Sequence, residues 1–447
     1  MPDYEELQRE LNSFNPGARR HTLQRLAASA EALSASASTN HNMHMHSFFS
    51  YNARGWSPSR IAWEARRTGL YAAGLCDFDV IDGLDEFLDA GLMLGLRTAV
   101  HVETRAFLGE YADREINSPG EPGVTYIMGA GFFRMPMQGS PQAATLNGLR
   151  ERARARNVAL VARVNRRLPE IALDYDGDVL PLTPTGIATE RHIITAYIGT
   201  SSRTLRAPGA CAAFWGSLLG KTPEDVQRTM TDTPAFEELV RAKLAKQGGL
   251  GYEQPSPSSF PIVDDFLAWV AACDAIPMVT WLDGTSAGEK DGRAMLECLA
   301  AKGAAALNII PDRNWNLKDP TARERKVACL NSIVAEAVRL HMPINIGTEM
   351  NKLGQPWTDD LAADALAQHA AVFLRGARIM IGHTLLARYA GMSYGSKAAC
   401  AEFRDIVRRN AFFEKVGALA PMTTAQAARL QVMGAERAFT WFRDAAR

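Results

Sequence analysis

The stretch NMHMHSFFSYNARGWSPSRIAWEARRTGLYAAGLCDFD, residues 42–79, combines a predicted strand, a predicted helix and a second predicted strand. The first strand, residues 42–48, carries histidine at alternate positions, and the second, residues 72–78, is a short apolar run. Between them, Ser57 followed by Pro58 is typical of a helix start, with serine as the N-cap and proline at the first helical position. This order of elements predicts a parallel βαβ unit.

The same alternation of strands and helices continues along the chain. Nine strands are predicted, at residues 42–48, 72–78, 97–107, 123–130, 158–164, 276–282, 304–310, 343–349 and 377–383. Strands that alternate with helices favour parallel pairing. So many units in one chain favour a closed α/β barrel over an open sheet, and such barrels form one long domain.

The chain divides into a central body and three additions. Residues 1–40 are predicted as an arm, helical over residues 4–34 and ending in a small polar linker. The barrel is expected over residues 41–420. An insertion at about residues 165–260 interrupts its alternation of strands and helices and ends in a Pro/Ser-rich segment. Residues 421–447 are predicted as one amphipathic helix that docks on the body.

Composition excludes several classes of protein. The chain has 49 Lys+Arg and 49 Asp+Glu, so a broad basic face for nucleic acid is not expected. We find no stretch of about 18 uncharged apolar residues, which argues against a membrane partner, and the charged N-terminus lacks a signal-peptide core. None of the six cysteines lies in a C-x-x-C pair, so the sequence predicts a reduced, cytoplasmic compartment.

Two histidines on the first strand are candidate metal ligands. Residues two apart on a strand project to the same face, so His44 and His46 lie together, with Met43 and Met45 on the other face. Two imidazoles about 7 Å apart along a strand can converge on one cation. The alternative is that they are polar side chains at a strand end.

Carboxylates at the end of the second strand are the next candidates. Asp77 and Asp79 would point into the mouth of a barrel, where such folds carry out their chemistry. Asp79 is also a candidate N-cap for a helix that starts near Asp82. Asp77 is therefore the better functional candidate.

Glu103 lies within the apolar run of the third strand, residues 97–107. An unpaired carboxylate there would be costly, so it requires a metal or another cation. Arg105, on the same face of the strand, is the alternative partner.

Further candidates come later in the chain. Glu349, at the end of the strand 343–349, could close a metal site opposite His44 and His46, or it could cap a helix. His383, at the end of the predicted strand 377–383, and His192, in a predicted helix, are looser candidates.

Four motifs in this order resemble the PHP (polymerase and histidinol phosphatase) superfamily. The family's D-x-H-x-H-[ST] is similar to NMHMHS at 42–47, and its T-D-H-D-x-x-x-G is similar to CDFDVIDG at 76–83. Its G-[IV]-E is similar to HVE, which ends at Glu103, and its late G-[ST]-D-x-H is similar to GTEMN at 347–351. The resemblance is specific over residues 42–103 and looser beyond them.

The resemblance implies a distorted TIM-like (βα)7 barrel of the PHP type, with a metal centre at the carboxyl ends of the strands. Most members hydrolyse phosphate esters, and members often hold three metals. This chain departs from the family at six ligand positions, which fall at Asn42, Tyr51 or Asn52, Phe78, Tyr126 or Ile127, Thr280 and Asn351. Glu349 stands where the family has aspartate. The positions of one complete metal site remain, at His44, His46, Glu103 and Glu349.

A set of two imidazoles and two carboxylates can hold zinc, manganese or iron. The resemblance therefore implies a divalent metal, one or two per chain, because His192 and His383 could supply a second site. A metal-bound water would be the nucleophile and Asp77 the general base. Arg105 and Arg134 would bind an anionic substrate or offset charge during transfer, and Asn351 is a further substrate-binding candidate.

Three functions follow from these residues. The first is a metal-dependent hydrolase, in the main a phosphoesterase that acts on a small anionic substrate. The second is a degenerate scaffold of this family that binds a ligand or partner without turnover, which the six departures favour. The third is an amidohydrolase-like enzyme that cleaves C–N bonds, since such barrels also use H-x-H on the first strand. The sequence does not identify the substrate or the oligomeric state.

Overall fold

Seven strands form one sheet that curls into a nearly closed barrel in the computed structural model, which describes residues 4–28 and 38–447. The strands are β1 (His41–Met45), β2 (Ala72–Phe78), β3 (Arg97–Phe107), β4 (Val124–Phe132), β5 (Ile276–Trp281), β6 (Ala306–Ile309) and β7 (Ile344–Ile346). They pair in chain order, and a parallel bridge between Met45 and Glu349 connects the last strand's exit to the first strand. The predicted α/β barrel is confirmed.

One strand runs against the others. β4 is antiparallel to β3 and to β5, whereas every other pairing is parallel. The residues between β3 and β4, 108–123, contain no α-helix that would carry the chain back to the opposite end of the barrel, and antiparallel pairing needs no such crossover. The expectation of parallel pairing throughout was therefore wrong for β4. Because β2 ends at Phe78, in register with Glu103, the rest of β3 rises beyond it as a β3–β4 ribbon.

Helices surround the barrel and fill its base. They are α1 (Tyr4–Glu10), α2 (Pro16–Ala27), α3 (Pro58–Arg67), α4 (Leu84–Leu94), α5 (Pro141–Arg167), α6 (Glu190–Thr204), α7 (Ala210–Leu219), α8 (Pro223–Met230), α9 (Thr233–Leu244), α10 (Val263–Ala272), α11 (Gly292–Ala301), α12 (Asp312–Trp315), α13 (Pro320–Arg339), α14 (Ala370–Ala390), α15 (Lys397–Glu402), α16 (Ile406–Ala418), α17 (Thr424–Met433) and α18 (Ala435–Ala445). Ser57 caps α3 by accepting a hydrogen bond from the backbone of Arg60, as its sequence predicts.

Two predicted strands are helical. Residues 158–164 belong to α5, and residues 377–383 belong to α14. Short apolar runs do not distinguish a strand from a buried helix, because both present apolar side chains on every side. In α14, most residues from Gly376 to Ala390 are buried. The sequence therefore lacks the polar face that would reveal a helical period.

α14 seals the end of the barrel opposite the carboxyl ends of the parallel strands. A Cβ at Gly376 would lie 1.8 Å from the carbonyl oxygen of Ile344, so the helix approaches β7 more closely than any side chain permits. By length and composition alone, one helical stretch among the described residues, Ala367–Ala390, could cross a membrane, which the sequence analysis did not anticipate. Its most apolar window is 61% buried, which fits a helix of the protein core.

The two ends of the chain differ from their predictions in detail. The arm is two helices, because Asn15 caps a second helix at Pro16, and residues 29–37 of the predicted helix and linker lie outside the described residues. The C-terminal segment is also two helices, α17 and α18, because Gly434 between them has φ of 84°. Both C-terminal helices contribute buried residues to the core around α14, whereas α2 packs beside α3 and α4.

The segment between β4 and β5 has a core of its own. The second half of α5 and helices α6 to α9 bury one apolar cluster, with Tyr197 and Trp215 fully enclosed in it. The predicted insertion, 165–260, lies within this segment. These helices stand at the mouth of the barrel, where their residues form part of a cavity.

Candidate metal centre

Three side chains meet where β1 and β2 end, and one of them, Glu103, comes from within β3. His44, His46 and Glu103 each offer a ligand atom within 4.8 Å of the others. Glu103 Oε2 lies 3.3 Å from His44 Nε2 and 3.4 Å from His46 Nε2, and all three side chains are buried. The alternation of side chains along β1 places both imidazoles on the inner face of the barrel.

The ring of His46 is oriented by a serine and an aspartate. Ser50 Oγ donates a hydrogen bond to Asp77 Oδ1 over 2.6 Å, so its only hydrogen is used there. The contact of 3.1 Å between Ser50 Oγ and His46 Nδ1 therefore has the imidazole as donor. With its proton on Nδ1, the neutral His46 ring turns an unprotonated Nε2 towards Glu103.

The ring of His44 is oriented by an amide. His44 Nδ1 lies 3.2 Å from Asn308 Oδ1, which can only accept, so Nδ1 carries the proton. Asn345 donates its side-chain amide to the same oxygen over 2.9 Å, which fixes the orientation of Asn308. His44 Nε2 therefore also faces the centre with a lone pair when the ring is neutral.

Three buried acceptors thus face one another. His44 Nε2, His46 Nε2 and Glu103 Oε2 have no hydrogen-bond partner among the described residues. Converging lone pairs in a dry site repel, so a cation or a proton must lie between them. These residues fit a divalent metal, because neutral imidazole nitrogen and carboxylate oxygen are its usual ligands, and three of them leave a fourth position for water or substrate.

The same convergence shifts the pKa values of its members. Burial alone would lower the pKa of His44, but Cys76 and the Glu103 carboxylate raise it well above its usual value. Burial alone would raise the pKa of Glu103, but the two imidazoles lower it to about 2. A proton on His44 can therefore take the place of the cation, and metal binding would displace it.

Asp77, the predicted general base, contacts two serines. Its carboxylate accepts hydrogen bonds from the backbone and side chain of Ser47, over 2.8 and 2.7 Å, as well as from Ser50. These bonds hold the turn that follows β1. They engage both oxygens of the buried carboxylate, which faces Ser47 and Ser50. As a general base, Asp77 stays a prediction that these contacts do not support; they place its carboxylate against Ser50, which contacts His46.

Glu349 also differs from its prediction. Its Oε2 accepts hydrogen bonds from Arg313 over 2.5 Å and from Gln355 over 2.9 Å, and it is not part of the group of three. Its φ of 65° is unusual for a non-glycine residue and costs about 1–3 kcal/mol. Backbone hydrogen bonds to His44 and His46, each of 2.8 Å, hold it in this conformation.

The two remaining histidines lie elsewhere. His383 is on α14, where Nε2 donates to the Gly131 carbonyl and Nδ1 accepts from the Tyr394 amide, each over 3.0 Å. His192 accepts a hydrogen bond from the Thr189 backbone within the capping box at the start of α6. Neither joins the metal group, so the predicted second site is not formed, and the described residues contain one such group.

A cavity of about 740 Å³ reaches the centre at Glu103, which lines it, whereas His44 and His46 do not. Arg105, Asn351, Arg313 and Glu349 line it, but Arg134 does not. The prediction of Arg134 as a substrate ligand failed because β4 runs antiparallel, so the residue after it lies at the base of the barrel. There its side chain is 67% exposed and pairs with Asp274 over 3.0 Å.

Aromatic side chains occupy one wall of the centre. The ring of Phe78 stacks on His46 with a centroid distance of 4.6 Å and an interplanar angle of 18°. Tyr126 lies next to Phe78, with ring centroids 6.0 Å apart, and also lines the cavity. Phe78 and Tyr126 thus bring aromatic rings, not ligand atoms typical of metal sites, to this side of the centre.

Sequence reasoning missed three residues that orient the ligands, Ser50, Asn308 and Asn345. A signal for the asparagines exists, because each lies in the middle of an apolar strand, ALNI or INI, where a buried amide requires partners. Ser50 lies in a turn, and its spacing alone does not point to His46.

Two solved structures resemble this chain in fold, at low sequence identity. No protein-family model matches the chain, and no curated protein matches it. A candidate metal-dependent phosphoesterase from Bifidobacterium adolescentis is 18% identical, with a TM-score of 0.46, over 74% of this chain and 96% of that one. An amidohydrolase from Chromobacterium violaceum, with bound sulfate and no metal, is 16% identical, with a TM-score of 0.47 and the same coverage.

Proposed function

We propose that this protein is a metal-dependent hydrolase of the PHP type and that it cleaves a phosphate ester in a small anionic molecule. The observation that carries the proposal is the convergence of His44 Nε2, His46 Nε2 and Glu103 Oε2, buried and without hydrogen-bond partners. We propose one zinc, manganese or iron ion per chain, because Phe78 and Tyr126 fill the adjacent space with aromatic carbon.

The cation would supply Lewis acidity and make a bound water more acidic. The chain's own residues divide the other tasks. Ser50 and Asn308 keep the two imidazoles unprotonated at Nε2, and Phe78 excludes water from the face of His46. Glu349 lines the cavity; burial would raise its pKa, but Arg313 and His44 lower it, so the carboxylate is ionised and in our proposal its Oε1 would accept the proton of the water. Arg313, now paired with Glu349, would turn to the substrate anion.

The remaining features of the proposal concern partners and compartment. The cavity of about 740 Å³ fits a small molecule, and the zero formal net charge of the chain offers no general attraction to nucleic acid. The absence of disulfides among six cysteines supports a reduced, cytoplasmic compartment.

The test is the replacement His46→Ala, with hydrolysis screened over phosphate monoesters, phosphodiesters and amides. We expect loss of activity and of bound metal with little change in fold, because the strand cores do not depend on this ring. His21→Ala, at an exposed position on α2, is the matched control. Activity in metal-free His46→Ala would refute the proposal, absence of any turnover by the metal-loaded wild-type protein would leave the non-catalytic scaffold, and turnover of amides alone would refute the phosphate ester.

A further inference from the structure

Four cations gather in the outer part of the cavity, beyond the metal ligands. Arg105 comes from β3, Arg156 from α5, and Arg241 and Lys246 from the end of α9 and the residues just after it. We call these four residues the outer cation cluster. Four carboxylates pair with them, Asp79, Glu121, Glu190 and Glu238.

One carboxylate oxygen serves two of these cations. Glu190 Oε1 accepts from Arg241 Nε over 2.5 Å and lies 3.2 Å from Lys246 Nζ. The Lys246 side chain is 46% exposed to the cavity and the solvent, so its ammonium group can reach a ligand. Arg241 has a second, longer contact with Glu238, over 3.6 Å, whereas Lys246 shares its carboxylate with Arg241.

Arg105 is held away from the metal ligands. It follows Glu103 by two residues on the same face of β3, which places its Cα about 6.6 Å farther along the strand. Its Nη1 donates to Glu121 over 2.8 Å, and its guanidinium lies 4.4 Å from the ring centroid of Phe260. The guanidinium of Arg156 lies 4.6 Å from the same ring, so Phe260 fixes both cations in place.

Four carboxylates pair with the cluster, but Glu238 also pairs with Arg191 over 2.9 Å, so these four carboxylates serve five cations. Burial lowers the pKa of Lys246, and repulsion from Arg241 and Arg105 lowers it further, although Glu190 opposes both effects. Like charges held at short distance in a partly buried cavity are stabilised by an added anion. Most other arginines of the cavity, such as Arg163 with Glu253 and Arg313 with Glu349, have a carboxylate each.

We propose that Lys246, Arg241 and Arg105 form a subsite for a phosphate-type oxyanion that the enzyme does not cleave. The inference deepens the proposed function, because it makes the substrate a molecule with two anionic groups, one at the metal ligands and one on the order of 7 Å or more away. The helical segment between β4 and β5 then selects the substrate, since it supplies Arg241 and Lys246.

The experiment measures binding of inorganic phosphate by titration calorimetry. The protein is the full chain with His44→Ala and His46→Ala, in the presence of a chelator, so that no phosphate can bind through a metal. We expect one phosphate per chain. Adding Lys246→Met should weaken binding roughly tenfold, since a charge-assisted hydrogen bond is lost. Adding Glu190→Gln should tighten it severalfold, because the competing carboxylate is gone.

Lys221→Met, at an exposed position after α7, is the matched control and should leave the affinity unchanged. Opposite changes in phosphate affinity in Lys246→Met and Glu190→Gln indicate an anion site. If the two residues form only a structural ion pair, both replacements change the thermal midpoint and leave phosphate affinity unaffected. Absence of phosphate binding, or equal affinity with and without Lys246, would overturn the subsite.

The two proposals fail separately. If the wild-type chain binds no metal but phosphate binding still responds to Lys246, the hydrolase proposal is wrong and the anion site stands. If metal binding and hydrolysis are observed but phosphate binding does not respond to these charges, the hydrolase proposal stands and the subsite is wrong.

Discussion

At the scale of single residues, the orientation of the two imidazoles is the decisive feature. His44 and His46 would be ordinary buried histidines if their Nδ1 atoms were the acceptors. Ser50 and Asn308 make them donors instead, so both Nε2 atoms are left for the centre. The H-x-H spacing predicted the pair, but the partners come from a turn and from β6, which only the folded barrel brings together.

Replacing Ser50 tests this orientation. Ser50→Ala removes the acceptor for His46 Nδ1 and leaves Asp77 with two bonds from Ser47. We expect metal affinity to fall about 10–100-fold, the usual effect of losing a group that orients a ligand, with little change in thermal midpoint of the metal-free protein. Ser202→Ala, on the exposed face of α6, is the control. Unchanged affinity for zinc in Ser50→Ala would show that the serine does not orient His46.

At the scale of elements, the sequence predicts strands well where they alternate with helices. The predicted ranges 72–78 and 97–107 coincide with β2 and β3. The runs 158–164 and 377–383 failed because buried helices and buried strands share a composition. The direction of β4 was not predicted either, because it depends on a connection from β3 that contains no helix. With β4 antiparallel, Arg134 lies at the base of the barrel and not at the predicted site.

The close approach of α14 to β7 gives a prediction about stability. In Gly376→Ala, the added Cβ would lie 1.8 Å from the Ile344 carbonyl oxygen, so the helix must move. We expect a loss of about 1–3 kcal/mol in the free energy of unfolding, or more, as for other overpacked sites. Gly395→Ala meets no atom within 4 Å and is the control. Equal denaturation midpoints for the two variants would contradict this packing.

α14 also gives a pH prediction through His383. Burial lowers the pKa of His383 to about 4, although its bond to the Gly131 carbonyl opposes this. Between that value and about 6.5, the unfolded chain binds a proton that the folded chain excludes, so stability falls as pH decreases through this window. We expect His383→Gln to reduce that slope by up to about 1.4 kcal/mol per pH unit. Chemical denaturation at several pH values measures it, and an unchanged slope would count against a neutral buried imidazole.

At the scale of the whole molecule, the barrel supplies the three candidate metal ligands, and the helical segment between β4 and β5 supplies much of the cavity wall. The sequence predicted the barrel and the three residues His44, His46 and Glu103 that the structure brings together, because these lie on strands with a clear period. It did not predict the position of Glu349, which depends on an ion pair with Arg313 and on a backbone conformation set by β1. It also did not predict what the insertion does, because long-range contacts assemble the cavity.

The most direct test of the central claim is the metal content of the purified protein. After dialysis against each of zinc, manganese and iron in turn, elemental analysis should give close to one tightly bound ion per chain for the preferred metal. His46→Ala should retain almost none, whereas His21→Ala should match the wild-type protein. Three tightly bound ions per chain, none at all, or an equal content in His46→Ala would contradict a single centre at His44, His46 and Glu103.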